Sequence, residues 1–166
     1  KNFEDAKRVF DCGFEKVVLN SILFSDIALI QKIASVYGSQ SVVGSIDTKK
    51  NILGKYRAYA LSANLNTGKE PVEWAALLEK SGVGEIMINA IDRDGTWLGY
   101  DEELISKVAS AVSIPVVACG GAGSFNDFEK AVHAGASAVA AGSLFVFQKK
   151  GMGVLISFPK NKLKIF

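Results

Sequence analysis

The chain has 166 residues, 49% of them apolar, with a formal charge of +2 and two cysteines far apart, Cys12 and Cys119. That is enough chain for one sizeable core. It lacks the clustered basic stripe of a nucleic-acid binder, the disulfide framework of a small secreted domain, and an apolar run long enough to span a bilayer, so a cytoplasmic globular protein without membrane or nucleic-acid partners is expected.

In chain order, helical patterns cover Asn2–Cys12, Asp26–Tyr37, Glu70–Ser81, Asp101–Ala111 and Ser124–Ala134. Apolar runs of strand length cover Lys16–Asn20, Ser41–Asp47, Glu85–Ala90, Pro115–Cys119 and Ala138–Ala141. Ser25 or Asp26 is expected to open the second helix and Asp101 the fourth, while Gly38, Gly82 and Gly135 follow helix ends. The stretch 51–67 is too long for a plain connection; within it Gly54–Tyr59 alternates like a hairpin strand, a flap over a site. The strand runs read as apolar on both faces, as in a parallel sheet sheathed by helices. Repeated βα units then give a doubly wound sheet or a (β/α)8 barrel.

Two segments repeat at an offset of 122 residues: Phe3 aligns with Phe125, Asp5 with Asp127, Gly13 with Gly135, Val17 with Val139 and Ser21 with Ser143. The duplication favours the barrel. About five βα units do not close eight strands, which take roughly 250 residues. The expectation is one partial TIM barrel over residues 1–166, holding strands 4 to 8, with about three units preceding Lys1 and an atypical tail at 148–166.

Polar residues gather at the C-terminal ends of the strands, where such sheets carry their chemistry. Gly120-Gly121-Ala122-Gly123 leads from a strand into a helix, and Gly142-Ser143 follows the next strand. Glycine lets backbone approach an anion, and a helix N-terminus offers free N–H groups, so these loops read as a phosphate grip; a tight turn is the bland alternative. Asn20-Ser21 is the equivalent position for a second phosphate. Asp47 ends its strand and is either a general base or a structural acceptor. Asp92-Arg93-Asp94-Gly95-Thr96 is a second acidic loop, suited to orienting a substrate or capping its own turn. A metal is not expected, since the single histidine, His133, lies on a helix. Cys119 lacks a histidine partner and reads as a wall residue rather than a nucleophile. Asn89 also ends a strand. Trp97 and Tyr100 are candidates for a lid or a partner surface, and Trp74 for packing. Lys16 and Glu85 open their strands at the opposite end, as a solvated ion pair or as a charged gate.

The motifs Phe14-Glu15-Lys16-Val17-Val18-Leu19-Asn20-Ser21, Ser45-Ile46-Asp47, Ile91-Asp92-Arg93-Asp94-Gly95-Thr96, Gly99-Tyr100-Asp101 and Cys119-Gly120-Gly121-Ala122-Gly123 together resemble the cyclase subunit of imidazole glycerol phosphate synthase. The resemblance implies a (β/α)8 barrel that binds a ribulosyl aminoimidazole carboxamide nucleotide through a phosphate at each end. It implies ammonia delivered through the barrel floor by a glutaminase partner in a heterodimer, no cofactor, and release of imidazole glycerol phosphate and an aminoimidazole carboxamide ribotide. By motif, Asp47 takes the place of a catalytic base; a second catalytic aspartate belongs to a first strand not in this chain. Lys16 and Glu85 match half of an ammonia gate. Gly121, Gly142 and Ser143 match one phosphate grip, with Gly120, Asp94 and Gly95 beside it, and Asn20 and Ser21 match part of the other. Asn89 stands where many members have Thr, and Cys119 where many have Ser. The apolar tail at 152–159, with Asp47-Thr48-Lys49-Lys50-Asn51, resembles paralogues associated with sugar amidation in surface-polysaccharide synthesis, the alternative function. A chain with one of two carboxylates is expected to be inactive alone.

Overall fold

The computed structural model describes residues 2–62, 64–147, 153, 154 and 156. The helices are α1 (Phe3–Asp11), α2 (Ala28–Tyr37), α3 (Pro71–Lys80), α4 (Glu102–Ala109), α5 (Phe125–His133) and the short α6 (Ser143–Val146). The strands are β1 (Val17–Leu19), β2 (Val42–Lys50), β3 (Tyr56–Ala60), β4 (Leu65–Asn66), β5 (Glu85–Ala90), β6 (Val116–Cys119) and β7 (Ala138–Ala140).

Five strands pair in parallel in the order β1-β2-β5-β6-β7. Each is followed in space by the next parallel strand of the chain. A doubly wound sheet reverses its direction at a switch point. This one never does, so right-handed crossovers lay successive helices side by side on one face: α1 against α2, α3 against α4, α4 against α5. That is the arc of a (β/α) barrel.

Alternation along the strands separates two environments. The outward side chains Val42, Ile46, Ile86, Ile88, Val116 and Ala118 are buried, and with Ile30, Ile33, Leu78, Leu104, Ile105, Val108, Phe128 and Ala131 of the helices they form the core. Gly44 belongs to this layer; a Cβ there would stand 3.1 Å from Leu78 Cδ1, so α3 lies close on the sheet. The inward positions carry Asp47 on β2, Glu85 and Asn89 on β5 and Cys119 on β6. β5 shows the division most plainly, half-exposed and buried residues alternating along its length. The expectation of strands apolar on both faces is therefore corrected: the concave face is mixed, because it holds the polar groups.

The repeat is physical. α1 and α5 cover the same nine positions, as do the 3₁₀ turn Ser21–Phe24 and α6. Both helices are N-capped from outside, by Asn2 Oδ1 on Asp5 N–H and by the reciprocal Ser124–Asp127 capping box. Gly13 and Gly135 follow with φ of 88° and 108°.

Two local expectations change. β2 extends three residues past Asp47 because the 51–67 stretch returns as β3, antiparallel to it, with Asp47 opposite Tyr59; β4 then pairs β3. The anticipated hairpin exists, but Asp47 lies within a strand rather than at its end. The second opening is α2, whose N-cap is Ile27, without a side-chain bond. Ser25 Oγ donates instead to Ile22 O, and the 3₁₀ turn draws Asp26 N–H to Ile22 O, so neither residue stands at the cap. Of the tail, only 153, 154 and 156 are described, with Val154 bridged to Phe147; the rest of 148–166, Lys149-Lys150 included, lies outside the described residues. None of the helices among the described residues is long and apolar enough to cross a membrane.

Leu78 is fully buried between α3 and the sheet. Leu78→Ala is expected to lower unfolding free energy by about 2–5 kcal/mol, read as a lower urea midpoint at unchanged slope.

Candidate active site

One row of the sheet register crosses the C-terminal mouth: Asp47, Asn89, Cys119, Ala140. Asn89 Nδ2 donates to Asp47 Oδ1 at 3.0 Å, which orients the carboxylate. Asn89 Oδ1 is buried without a partner among the described residues, an arrangement that costs about 1–3 kcal/mol and is a common signature of function. Burial pushes the Cys119 thiol above its ordinary range, and the Asp94 and Asp47 charges push the same way against the Gly120 amide. A thiol held protonated is a poor nucleophile, so Cys119 lines the wall.

Asp94, Cys119, Gly120, Gly121, Gly142 and Ser143 share one small cleft. Its glycines divide into two kinds. A Cβ on Gly120 would lie 2.5 Å from Ala90 O, on Gly121 2.3 Å from Gly99 O, and on Gly123 2.3 Å from Trp97 O. These three glycines are required for packing the 90–100 loop against the turn, sealed by Gly99 N–H to Gly121 O at 2.8 Å. Gly142 has open space where a Cβ would be. Packing does not account for its missing side chain.

Two of the N–H groups leading into α5 are engaged within the chain: Gly123 N–H and Ser124 N–H both donate to Asp127 Oδ2, at 3.0 and 2.8 Å. Ser143 opens α6 at the edge of the same cleft.

In the acidic loop, Arg93 and Asp94 N–H groups both donate to Ala90 O, Thr96 Oγ1 donates to Arg93 O, and Arg93 Nη1 donates to Gly99 O and Tyr100 O. The turn is held without either carboxylate, so Asp92 and Asp94 do not cap it. Asp94 lines the cleft, Asp92 is exposed outside it, and Gly95 supplies the turn at φ 69°. Tyr100 is no lid: it is buried against Phe128, with its hydroxyl on Ala140 O at 2.9 Å. Trp74 packs as expected, stacked on Phe24. His133 is exposed and its ring bonds Glu129 O within α5. Among the described residues no group of three or more His, Cys, Asp or Glu converges as a metal ion would need.

On the far side of the mouth, Asn20 Nδ2 donates to Ser45 Oγ at 3.4 Å and Ser21 Oγ donates to Asn20 Oδ1 at 3.2 Å. Ser21 Oγ also accepts Leu61 N–H at 2.8 Å, tying this corner to the hairpin. Leu61 and Ser62 both carry positive φ, near 53° and 55°. At the opposite end of the concave face, Lys16 Nζ meets Glu85 Oε2 at 2.5 Å.

Pattern reading missed how the hairpin is anchored. Tyr56 Oη donates to Asp101 Oδ1 at 2.9 Å and Glu103 Oε2 at 3.1 Å; Lys50 Nζ reaches the same glutamate oxygen at 2.9 Å. Asp101, expected only as a cap, does cap α4 through Leu104 N–H and binds the phenol with the same oxygen. Burial and both carboxylates hold the Tyr56 phenol well above the tyrosine range, so it remains a donor. Partners forty-five to fifty-three positions away leave no local pattern.

The fold and these loops define a barrel-type α/β protein with a carboxylate and glycine-rich loops at the mouth. Residues 1–150 match the family described as "Histidine biosynthesis protein", and the chain belongs to that family. It is 48% identical over 99% of its length to a Pseudomonas aeruginosa protein provisionally named imidazole glycerol phosphate synthase subunit hisF2, covering 66% of that protein. It is 46% identical over 89% of its length to imidazole glycerol phosphate synthase subunit HisF of Pyrobaculum aerophilum, covering 58% of it. It is 38% identical over 98% of its length to the HisF subunit of Alkaliphilus metalliredigens, covering 62%. The chain thus spans less than two thirds of these relatives. Their names lend no support to the sugar-amidation alternative.

Lys107, Lys50 and Tyr56 together lower the Glu103 carboxyl from 4.5 to about 2. A depressed carboxyl contributes above its ordinary value and loses that contribution as pH falls towards the folded value. Amide exchange in Tyr56–Ala60 is expected to accelerate between about pH 4.5 and pH 2 relative to β5, and Glu103→Gln to remove that acid transition.

Proposed function

We propose that the chain carries the base and one phosphate grip of an ammonia-dependent cyclase and lyase, the synthase subunit that forms imidazole glycerol phosphate. In this reading a glutaminase subunit docks under the barrel and releases ammonia at the Lys16–Glu85 pair. The ammonia travels up the concave face to a ribulosyl aminoimidazole carboxamide nucleotide held at the mouth. Ring closure and cleavage give imidazole glycerol phosphate and an aminoimidazole carboxamide ribotide.

The observation that carries the proposal is a coincidence of faces. Glu85 and Asn89 are inward residues of the same strand, and Asn89 holds Asp47. Four residues at about 3.3 Å each separate gate from base by roughly 13 Å, a distance a small neutral nucleophile crosses without leaving the barrel. Asp47 acts as general base, oriented by Asn89. Ser143 Oγ and the open backbone at Gly142 bind one phosphate, with Gly121 and Gly95 shaping the approach and Asp94 orienting the substrate from the rim. Asn20 and Ser21 contact the other phosphate, and the hairpin, bonded to Ser21, covers it.

In a protein that has all eight βα units, Asp47→Asn is expected to lower imidazole glycerol phosphate formation from the nucleotide and ammonium by about 10²–10⁴-fold, the usual weight of a general base. Turnover within a few-fold of the parent refutes the assignment. The 166-residue chain alone is expected to give background rates.

Lys16→Ala is expected to depress glutamine-driven turnover more than turnover on added ammonium, measured side by side with the glutaminase present. Equal rates with both nitrogen sources, unchanged from the parent, would remove the gate from the scheme.

A further inference from the structure

A cleft of about 550 Å³ lies outside the sheet, between the hairpin and α3. It is separate from the mouth, sharing no residue with the Asp94–Ser143 cleft. That volume is in the range of small-molecule sites. Its hairpin wall presents Lys55 and Arg57, and Lys69 closes one end. Among the described residues none of the three forms an ion pair with a carboxylate. Arg57 spends Nη1 on Tyr56 O at 2.7 Å, and Lys69 Nζ sits 4.7 Å above the Trp74 ring. Three cations against the two carboxylates of Glu70 and Glu73 leave the hollow with a net positive charge, which favours an anion placed among the cations.

The helix wall has different chemistry. Glu70 is engaged, accepting Val72 and Glu73 N–H groups as the cap of α3, so the helix terminus itself is not what attracts the anion. Glu73 lines the cleft with no ion pair among the described residues. Trp74 also lines it; the residue is 4% exposed and its Nε1 N–H has no partner among the described residues.

We infer that this cleft binds a small phosphate-bearing polyol, with Arg57, Lys55 and Lys69 on the phosphate and Glu73 accepting from hydroxyls. A guanidinium suits a phosphate through paired N–H donors, which a lysine alone does not offer. The site is coupled to the mouth by strand register: Arg57 pairs Lys49, and two residues along each strand Tyr59 pairs Asp47. A ligand that draws Arg57 towards α3 therefore bears on the strand that carries the proposed base. This coupling rests on the function proposed above; the binding itself does not.

These 166 residues hold two tryptophans, so in a protein that has all eight βα units, with any further tryptophan replaced by phenylalanine, Trp97→Phe leaves Trp74, in the cleft wall, as the reporter. Ser143→Glu together with Ser21→Glu places a negative charge at each proposed phosphate position of the mouth and excludes phosphate there. In that background, titration with glycerol 3-phosphate is expected to give a saturable change in Trp74 emission and one calorimetric site. Inorganic phosphate should bind more weakly and glycerol not at all, at matched ionic strength. Arg57→Gln and, separately, Lys55→Gln should each weaken binding tenfold or more while circular dichroism is unchanged. Three results overturn the inference: no saturable binding, binding that survives both substitutions, or capture of an acidic peptide but no small phosphate. Loss of all phosphate binding on Ser143→Glu with Ser21→Glu would overturn it too and leave the mouth assignment standing, whereas persistence of every site would sink the mouth grip instead.

Discussion

Strand β2 is held from three directions, and the site depends on that arrangement. Its first half pairs β1, its full inward run pairs β5, and its last four residues also pair β3. At Asp47 both ladders meet, so the backbone beneath the carboxylate is bonded on each side. Asn89 then fixes the side chain from the neighbouring strand. A general base needs this kind of restraint, because misplacement by about an ångström costs orders of magnitude in rate. The hairpin stiffens the strand that bears the proposed base, and it is itself clamped to α4 by Tyr56, Asp101, Glu103 and Lys50.

Local regularity and function pull against each other in the last loops. Packing demands glycine at 120, 121 and 123, and Asp127 takes the Gly123 and Ser124 amides. Gly142 lines the same cleft with nothing near it, beside Ser143. A motif that looks like a single phosphate cradle therefore separates into a structural half and an open half. The division is invisible in the residue names, since glycine serves both purposes. Only the distance from each hypothetical Cβ to its neighbour tells them apart.

Much of the fold was legible because its signals are short-ranged. The 122-residue repeat, the glycines at helix ends and the apolar strand runs each depend on a few neighbouring residues, and α1, α5 and both Ser-led turns appear where the pattern put them. The alternation of β5 correctly put Glu85 and Asn89 on one face. The opening of α2 was misplaced because the preceding 3₁₀ turn competes for the same residues, an outcome propensity alone does not register. The extension of β2 was missed for the complementary reason: a strand ends where its partners end, and β3 lies on a later stretch of chain.

The sequence by itself determined which elements form, that the parallel strands carry their polar groups at one end, and which family the motifs resemble. These follow from hydrophobic period, capping chemistry and the spacing of glycine, all local. Tertiary structure alone decided that Lys16 meets Glu85 across sixty-nine positions, that Asn89 rather than solvent holds Asp47, and that Asp101 serves a tyrosine as well as its own helix. Such pairs are set by strand order and register. A side chain that is free along the chain acquires its partner only when the sheet curls and brings the two strands into one row.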